Sequence, residues 1–239
     1  MPAPEVRVGD AAFVAEQLAA DFASEAAAAF AAHQRFKVAI PGGSVAERCF
    51  PALAQLPLDW SQLEFFQVDE RAVPPEHMDS NYRLAKEKWF DPAGVPPLRV
   101  HRMVAERDLD ESARSYIGML IRWCGLPVKL DYVLLGVGPD GHIASLFPGR
   151  INSANSQGIV LVENDAPKPP PHRITLGMPV LTNATRVAIV AFGAEKATVL
   201  AEALGQHDSS LPVARVVRRA SRVLVLMDEA AASRAPASS

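Results

Sequence analysis

The chain has 239 residues, of which 49% are hydrophobic and 21% are charged, and this balance excludes a long disordered protein. A formal net charge of −3 excludes a global basic field for nucleic acid, although it leaves room for a local basic pocket. The sequence has no apolar run of membrane-spanning length and no signal-peptide pattern at its start, so we expect a cytoplasmic protein. We predict one domain over 1–239 with a frayed tail over 232–239.

Helical and strand patterns alternate through the first half of the chain. The first helix is amphipathic, because Val14, Leu18 and Phe22 recur at intervals of four residues, and Asp10 is placed to cap it. The predicted elements are a helix over 11–32, a strand over 37–41, a helix over 45–56, a strand over 63–68 and a helix from Asp108 to about Trp123.

The second half continues the alternation after a long irregular segment. The segment 149–171 is rich in Asn, Ser and Pro, which indicates a surface loop. Such a loop acts either as a lid over a site or as a passive crossover. The predicted elements are strands over 130–136, 186–192 and 222–227, a helix over 194–204 and a helical start after Asp228.

Apolar strands that alternate with helices predict an α/β fold, in which a mostly parallel sheet carries helices on both faces. Ligands of such sheets bind beyond the carboxyl ends of the strands. Polar or glycine-rich sequences follow Ile40, Val68 and Leu135, each at or next to the end of a predicted strand. We therefore expect these three sequences to form one site.

The segment Gly42-Gly43-Ser44 is a candidate anion site. Two glycines after a strand allow backbone N–H groups to approach a ligand, and the helix that follows adds the positive end of its dipole. The alternative is that the glycines only turn the chain. The spacing matches neither a Walker loop nor a dinucleotide-binding fingerprint.

A sharply folded loop is predicted after the strand that ends at Gly136. Three glycines and a proline precede His142, and Asp140 stands two residues before it. A carboxylate at this position can orient an imidazole that acts as a general base, or it can contact the substrate. The alternative is a structural turn with Asp140 in a left-handed conformation. Ser145 lacks a nucleophile-elbow motif, so we expect capping or packing at a helix start, and no covalent intermediate.

Several charged residues are candidates to complete this site. Asp69 and Glu70 point to opposite sides of an extended chain, so one is expected to face the pocket while the other pairs with Arg71 or solvent. Arg71 could bind an anion or stabilise developing negative charge. Arg173 is a further cationic candidate, and so is Lys196, since a lysine at a helix start favours a compensating anion. The alternative for each is a solvated surface charge.

No metal and no cofactor are expected. His142 and Asp140 have no further His or Cys at ligand spacing. Cys49 and Cys124 match no zinc or redox spacing, and Cys49 is expected to be a buried free thiol in a helix. The expected partner is a small molecule, with neither nucleic acid nor a membrane.

The motifs together resemble those of the 6-phosphogluconolactonase family, within the glucosamine-6-phosphate isomerase/6-phosphogluconolactonase superfamily. The resemblance covers nearly the whole chain and is most specific around Asp140 and His142 and in the Asp-Glu-Arg block at 69–71. The matching blocks are Pro41-Gly-Gly-Ser44, Val68-Asp-Glu-Arg-Ala-Val-Pro74, Ser80-Asn81-Tyr82, Leu134-Leu-Gly-Val-Gly-Pro-Asp-Gly-His142, Ser145-Leu-Phe-Pro-Gly149, Pro167-Lys-Pro-Pro-Pro-His-Arg-Ile-Thr175 and Gly193-Ala-Glu-Lys196.

The resemblance implies a Rossmann-like α/β domain similar to that of glucosamine-6-phosphate deaminases. It also implies hydrolysis of 6-phospho-D-glucono-1,5-lactone to 6-phospho-D-gluconate, a step of the oxidative pentose phosphate pathway. By position, His142 would activate water, Asp140 would orient or support it, and Arg71 would contact the substrate. The substrate and its phosphate would be held by Gly42, Gly43, Ser44, Asp69, Arg173 and Lys196.

The sequence departs from the family pattern around the glycine pair. Pro41 stands where the family often has a hydroxyl residue, and Val45 and Ala46 stand where a Thr or Pro is common, so fewer hydroxyls would contact the phosphate. The related deaminases are the enzymatic alternative. They typically have Asp-Glu-Tyr where this chain has Arg71 in third place, and a Glu where this chain has Phe147.

Two non-catalytic classes are weaker alternatives. A sugar-phosphate sensor on the same fold would need a DNA-binding or partner module, for which no residues are left over, and it would tolerate the loss of His142. A general interaction protein would show a large exposed apolar stripe, and none is evident. The sequence does not decide between a monomer and a homodimer, or how strictly gluconate is preferred over other sugar acids.

Overall fold

The computed structural model describes residues 3–150 and 157–235. Within these ranges the strands form a seven-stranded sheet and a separate three-stranded sheet. The strands are β1 (Glu5–Gly9), β2 (Phe36–Ile40), β3 (Leu63–Gln67), β4 (Asp69–Arg71), β5 (Val100–His101), β6 (Tyr132–Gly136), β7 (Val160–Glu163), β8 (Arg173–Leu176), β9 (Arg186–Ala191) and β10 (Val223–Asp228).

The two longest helices begin at carboxylate caps, as the sequence predicts. Asp10 Oδ1 accepts from the N–H of Phe13 at 2.7 Å, and Asp108 Oδ1 accepts from the N–H of Glu111 at 2.8 Å. The helices are α1 (Ala11–Ala31), α2 (Gly43–Ala54), α3 (Asn81–Ala85), α4 (Asp91–Ala93), α5 (Leu109–Cys124), α6 (Met178–Thr182), α7 (Ala197–Gly205), α8 (Pro212–Arg219) and α9 (Glu229–Ala232).

All strands of the large sheet are parallel and lie in the order β1-β10-β9-β6-β2-β3-β5. Its central strand β6 is buried on both faces, since Val133 and Leu135 pack with α5, α7 and α8. Tyr132 and Leu134 pack on the other face with α1 and α2, where Cys49 is a buried free thiol. The predicted α/β fold with helices on both faces is confirmed.

A buried arginine ties the amino ends of the large sheet together. Arg186, at the start of β9, is 2% exposed. Its guanidinium donates to Glu5 at 2.8 Å and to Asp21 at 2.6 Å, which links β9 to β1 and α1. This cation is therefore neutralised by carboxylates of the protein itself.

The small sheet extends from the carboxyl ends of the large one. After Val68 the chain continues from β3 into β4, which pairs antiparallel with β8, and β8 pairs antiparallel with β7. Val68 joins the two sheets, because its N–H donates to the carbonyl of Ile40 at 3.0 Å and its carbonyl accepts from Leu176 at 2.8 Å. In β4 and β8, Arg71 lies directly opposite Arg173.

Several local predictions were wrong. The segment 149–171 is not an uninterrupted loop, because β7 lies within it and pairs with β8. Ser145 is not at a helix start, since Ile143 and Leu146 form an isolated bridge around a tight turn. The helix predicted over 194–204 is present as α7, but its first predicted turn, Ala194–Lys196, is a 3₁₀ turn rather than α-helix.

Two predictions fall partly outside the described residues. The lid interpretation concerns a loop whose residues 151–156 lie outside them. Of the predicted frayed tail, 236–239 also lie outside, whereas Ala232 is the last residue of α9 and its carbonyl accepts from Ala235 at 2.8 Å. Among the described helices, none is long and apolar enough to cross a membrane.

Candidate active site

A pocket lies where the carboxyl ends of β2 and β6 meet the small sheet. It brings together the three polar sequences that follow the strands, as predicted. Of the predicted site residues, Asp140 and Lys196 are not part of its wall. Its lining residues are Pro41, Gly42, Gly43, Ser44, Val45, Asp69, Arg71, Asn81, Gly136, Val137, Gly138, His142, Ala144 and Arg173.

The glycine pair forms the start of α2 at one side of the pocket. Gly42 is the N-cap and supplies no side-chain cap, and the helix begins at Gly43, whose φ of +64° suits glycine. The first N–H groups of a helix have no partner within the helix. Together with the positive end of the helix dipole, they make this wall of the pocket attractive to an anion.

The loop after β6 holds a carboxylate–imidazole pair. Asp140 Oδ1 accepts from His142 Nδ1 and lies 3.3 Å from the backbone nitrogen of the same histidine. The loop closes on itself through hydrogen bonds from Gly138 to His142 and from Gly141 to Gly138, both at 2.9 Å. The left-handed residue is Gly141 rather than Asp140, so the alternative of a turn with Asp140 in a left-handed conformation was wrong.

Gly138 allows the imidazole of His142 to fold back over the loop. A Cβ atom at position 138 would lie 2.0 Å from His142 Nδ1, so a larger residue would displace the ring. With Nδ1 directed to Asp140, the lone pair of Nε2 is available, and within the described residues that atom has no hydrogen-bond partner. The geometry therefore presents a base to the pocket.

Electrostatics keep this histidine neutral near pH 7. Burial lowers the pKa of His142 below its ordinary value of 6.5, although the Asp140 carboxylate opposes the change, and Lys168 lowers the pKa further. Burial raises the pKa of Asp140, but the attraction of His142 and its hydrogen bonds outweigh burial, so this pKa lies below its usual range. A neutral imidazole beside an ionised carboxylate is the state that a general base requires.

Asp69, rather than Glu70, faces the pocket. Its Oδ2 accepts from Ser145 Oγ at 2.6 Å, and its Oδ1 accepts from Asn81 Nδ2 at 3.2 Å. Ser145 is fully buried, so its hydroxyl fixes Asp69 and is not placed to act as a nucleophile. The packing role expected for this serine is confirmed.

Glu70 turns to the opposite side, where it fastens the segment 80–82 to the end of β4. Its carboxylate is 3% exposed, so it faces neither solvent nor the Arg71 guanidinium, contrary to expectation. Burial raises its pKa, although several hydrogen bonds oppose the change. Its donors are Gln67 Nε2, Ser80 Oγ and the backbone N–H groups of Arg71, Asn81 and Tyr82.

Arg71 and Arg173 form a cationic part of the pocket wall. They are cross-strand neighbours on one face of the small sheet, where like charges repel. Within the described residues, neither guanidinium has an ion pair with a carboxylate. Burial lowers the pKa of Arg173, and Arg71 adds to this effect while Asp69 opposes it. A bound anion would relieve the repulsion.

Carbonyl oxygens hold both guanidinium groups in place. Arg173 is 4% exposed, and its Nε and Nη2 donate to Pro170 at 3.0 Å and to Lys168 at 2.9 Å. Arg71 Nη1 donates to the carbonyl of Asp79 at 2.7 Å, while its buried Nε has no partner in the described part of the chain. Neutral acceptors orient these cations without cancelling their charge.

Lys196 lies outside the pocket wall. It ends the 3₁₀ turn before α7, its side chain is 12% exposed, and its Nζ donates to Glu195 Oε1 at 2.9 Å. The anion expected next to this lysine is, in this structure, the neighbouring carboxylate. A role for Lys196 in ligand binding stays a prediction.

Two residues that the sequence did not assign belong to the site. Asn81 lines the pocket and also donates to the carbonyl of Asp69 at 2.9 Å. Phe147 lies beneath His142, with ring centroids 4.6 Å apart. Asn81 lies in the Ser80-Asn81-Tyr82 block and Phe147 in the Ser145-Leu-Phe-Pro-Gly149 block, but the sequence assigns a role to neither residue.

The described residues contain no group of three or more His, Cys, Asp or Glu side chains placed to hold a metal ion. The family described as glucosamine-6-phosphate isomerases/6-phosphogluconolactonase matches residues 9–225. The chain belongs to this family. The predicted resemblance is thereby confirmed.

Curated relatives within the glucosamine-6-phosphate isomerase/6-phosphogluconolactonase family share about a third of the sequence. A chloroplastic 6-phosphogluconolactonase 3 from Arabidopsis thaliana is 35% identical over 83% of this chain. The chain spans just under two thirds of that protein, at 65% of its length. A 6-phosphogluconolactonase from Mycobacterium leprae is 34% identical over 90% of this chain and 91% of its own length.

Solved structures agree with the family assignment. The 6-phosphogluconolactonase from Trypanosoma brucei has a TM-score of 0.85 at 27% identity and covers 96% of this chain and 98% of its own. A monomeric glucosamine-6-phosphate deaminase has a TM-score of 0.81 at 21% identity and covers 96% of this chain and 99% of its own. The second comparison shows the shared fold alone, as the sequence predicted.

Proposed function

We propose that this protein hydrolyses 6-phospho-D-glucono-1,5-lactone to 6-phospho-D-gluconate through general-base activation of water. The proposal rests on one observation. The same pocket contains an oriented imidazole, that of His142, and two arginines that have no carboxylate partner in the described chain. The lactone has an electrophilic carbonyl, which would lie near His142 and Arg71, and a phosphate, which Arg173 would bind. Relatives named 6-phosphogluconolactonase support the same activity.

In this mechanism the phosphate occupies the cationic side of the pocket. The N–H groups at Gly43 and Ser44 and the guanidinium of Arg173 bind it, which places the lactone carbonyl carbon near His142. Lys196 also binds the phosphate, once its ammonium group has exchanged the ion pair with Glu195 for one with the phosphate. Binding energy from this remote group orients the reacting carbonyl and thereby raises the rate.

The chemical step moves one proton through His142. Nε2 takes a proton from water while the water oxygen attacks the carbonyl carbon, and Asp140 stabilises the resulting imidazolium. Arg71 stabilises the oxyanion of the tetrahedral intermediate. The intermediate collapses, the bond from the carbonyl carbon to the ring oxygen breaks, and the imidazolium returns its proton to that oxygen.

The first test is the decay of the lactone, which is generated in situ by oxidation of glucose 6-phosphate. We expect wild-type protein to accelerate the decay beyond the spontaneous rate, because the pocket supplies a base and an anion site together. A protein that binds sugar phosphates without accelerating the decay would instead act as a sensor. Ammonia release from glucosamine 6-phosphate, assayed in parallel, would point to the deaminase alternative.

The variant Asp140→Asn tests the orienting carboxylate through the pH dependence of kcat/KM. The carboxylate raises the His142 pKa against burial, so its removal lowers that pKa, and the acid limb of the profile shifts to lower pH. The plateau falls roughly 10²-fold, because Asn no longer holds the reactive tautomer.

The substrate's own phosphate also titrates near pH 6. This titration affects the profiles of variant and wild type equally, so the difference between the two profiles reports the enzyme. If Asp140 instead contacted the substrate, KM would rise and the acid limb would stay where it is. That result would refute the orienting role.

The compartment in which the protein acts and its oligomeric state are part of the same proposal. We expect the protein to act in the cytoplasm as a single domain, either as a monomer or as a homodimer, and without a cofactor. Light scattering of the purified protein distinguishes the two assembly states. Full activity after dialysis against a chelator would agree with a reaction that needs no metal.

A further inference from the structure

Phe147 lies beneath the pocket and contacts two functional groups at once. The side chain is 1% exposed and does not reach the ligand space. Its ring centroid is 4.6 Å from that of His142 at an interplanar angle of 45°. The guanidinium carbon of Arg173 stands over the same ring at 5.6 Å from the centroid.

The two contacts use different properties of the ring. Against His142, the ring is an apolar wall that keeps water away from one side of the imidazole. Against Arg173, the negative face of the ring attracts the guanidinium. A smaller aliphatic side chain such as leucine would cover the imidazole only in part, and it would not supply the second contact at all.

The backbone fixes the position of the ring. The carbonyl of Phe147 accepts from the N–H of Arg150 at 3.3 Å. On the other side, Leu146 donates to Ile143 at 2.9 Å in the turn that follows His142. The ring is therefore held by the same loop that carries the base, while Arg173 belongs to β8 of the small sheet.

We propose that Phe147 is a positioning residue that holds the base and the anion-binding arginine at a fixed separation. The ring joins the loop of His142 to the small sheet, so the distance between the reacting carbonyl and the phosphate is set before the substrate binds. The inference rests on the proposed function, in which Arg173 binds the phosphate and His142 activates water.

The test uses two measurements that need no turnover. The first is the affinity for inorganic phosphate by calorimetry, and the second is the NMR titration of His142, assigned through His142→Asn. In Phe147→Leu we expect the phosphate Kd to rise about 3- to 10-fold, since the cation–π contact is lost. We also expect the His142 titration midpoint to move up toward its ordinary value, because burial is the main cause that lowers it.

Matched variants separate positioning from packing. Phe22→Leu removes an equally buried ring from the opposite core, where Phe22 packs edge-on against Phe36 at 5.2 Å, and it is expected to change neither readout. Phe147→Tyr keeps the ring and is expected to keep both readouts. If Phe147→Leu fails to fold, Phe147→Met is the substitute: it also lacks a ring and covers the imidazole only in part, so it carries the same expectation.

The proposal is overturned if Phe147→Leu leaves both readouts unchanged. It is also overturned if Phe22→Leu or Phe147→Tyr shifts them as far. Lactone hydrolysis by the wild type is measured separately. Its absence would refute the proposed function, while the phosphate and titration readouts would still decide whether Phe147 couples the two groups.

Discussion

The variant His142→Asn is expected to fold like the wild type and to lose about 10²- to 10⁴-fold in kcat. Asn cannot take a proton from water, although its amide can still face Asp140. The phosphate side of the pocket is untouched, so KM is expected to change little. The measurement is the initial rate of lactone decay at saturating substrate, corrected for the spontaneous reaction.

His101→Asn is the matched control for this substitution. His101 is also held by a carboxylate, because its Nε2 lies 2.8 Å from Glu64 Oε2, but it lies on β5 outside the pocket. We expect this variant to be less stable and to turn over lactone at the wild-type rate. Near-wild-type turnover in His142→Asn would show that another group activates the water.

The two edge strands of the large sheet, β1 and β5, were not predicted, because they are partly exposed and β5 has only two residues. The other five strands could be predicted from the sequence because they are buried on both faces. Such strands are short, nearly continuous apolar runs, and Leu130 to Gly136 is one of them. Helix starts were also recognisable, since the caps Asp10 and Asp108 act through their immediate neighbours. Both patterns involve only residues that are close in sequence, so they can be recognised without knowledge of the fold.

The small sheet could not be predicted, because its strands depend on partners far away in the chain. β4, β7 and β8 contain three or four residues each and include charged side chains. No apolar run distinguishes β4 and β8 from loops, and the run in β7, Val160 to Val162, is short and follows an Asn- and Ser-rich segment. The conformation of these strands follows from their pairing with one another. The juxtaposition of Arg71 and Arg173 is a property of that register and is invisible in either segment alone.

The sequence named most of the residues that line the pocket, but it did not show how they are oriented or which partners they have. The sequence could not decide which of Asp69 and Glu70 faces the pocket, because the answer depends on donors at 80–82 that bind Glu70. These are the hydroxyl of Ser80 and the backbone N–H groups of Asn81 and Tyr82. Similarly, the partner of Lys196 is the adjacent Glu195, which competes with any external anion. Charged residues take the partners that the fold brings near, and spacing alone does not reveal these partners.

The variant Arg173→Met is expected to lose activity without losing stability. Truncating a buried charge that binds a ligand costs about 2–5 kcal/mol, so kcat/KM is expected to fall roughly 30- to 4 × 10³-fold. Folding is not expected to suffer, because Met removes both the desolvation of the guanidinium and its repulsion by Arg71. The measurements are steady-state kinetics and urea unfolding of the same preparation.

Arg186→Met provides the opposite case within the same chain. Both arginines are almost fully buried, but Arg186 is paired with Glu5 and Asp21 at the amino ends of the sheet. Its removal leaves Asp21 without its cation at a side-chain exposure of 9%, and is expected to cost about 3–5 kcal/mol of stability. The kinetics of lactone hydrolysis should stay at the wild-type level.

The two variants distinguish a buried arginine that binds the ligand from a buried arginine that stabilises the fold. Partnering with carboxylates is the structural feature that distinguishes them, since burial is nearly equal. If Arg173→Met destabilised the protein as much as Arg186→Met and left kcat/KM unchanged, the carbonyls of Lys168 and Pro170 would be the true partners of Arg173. The anion site would then have to be confined to the glycine turn, Arg71 and Lys196.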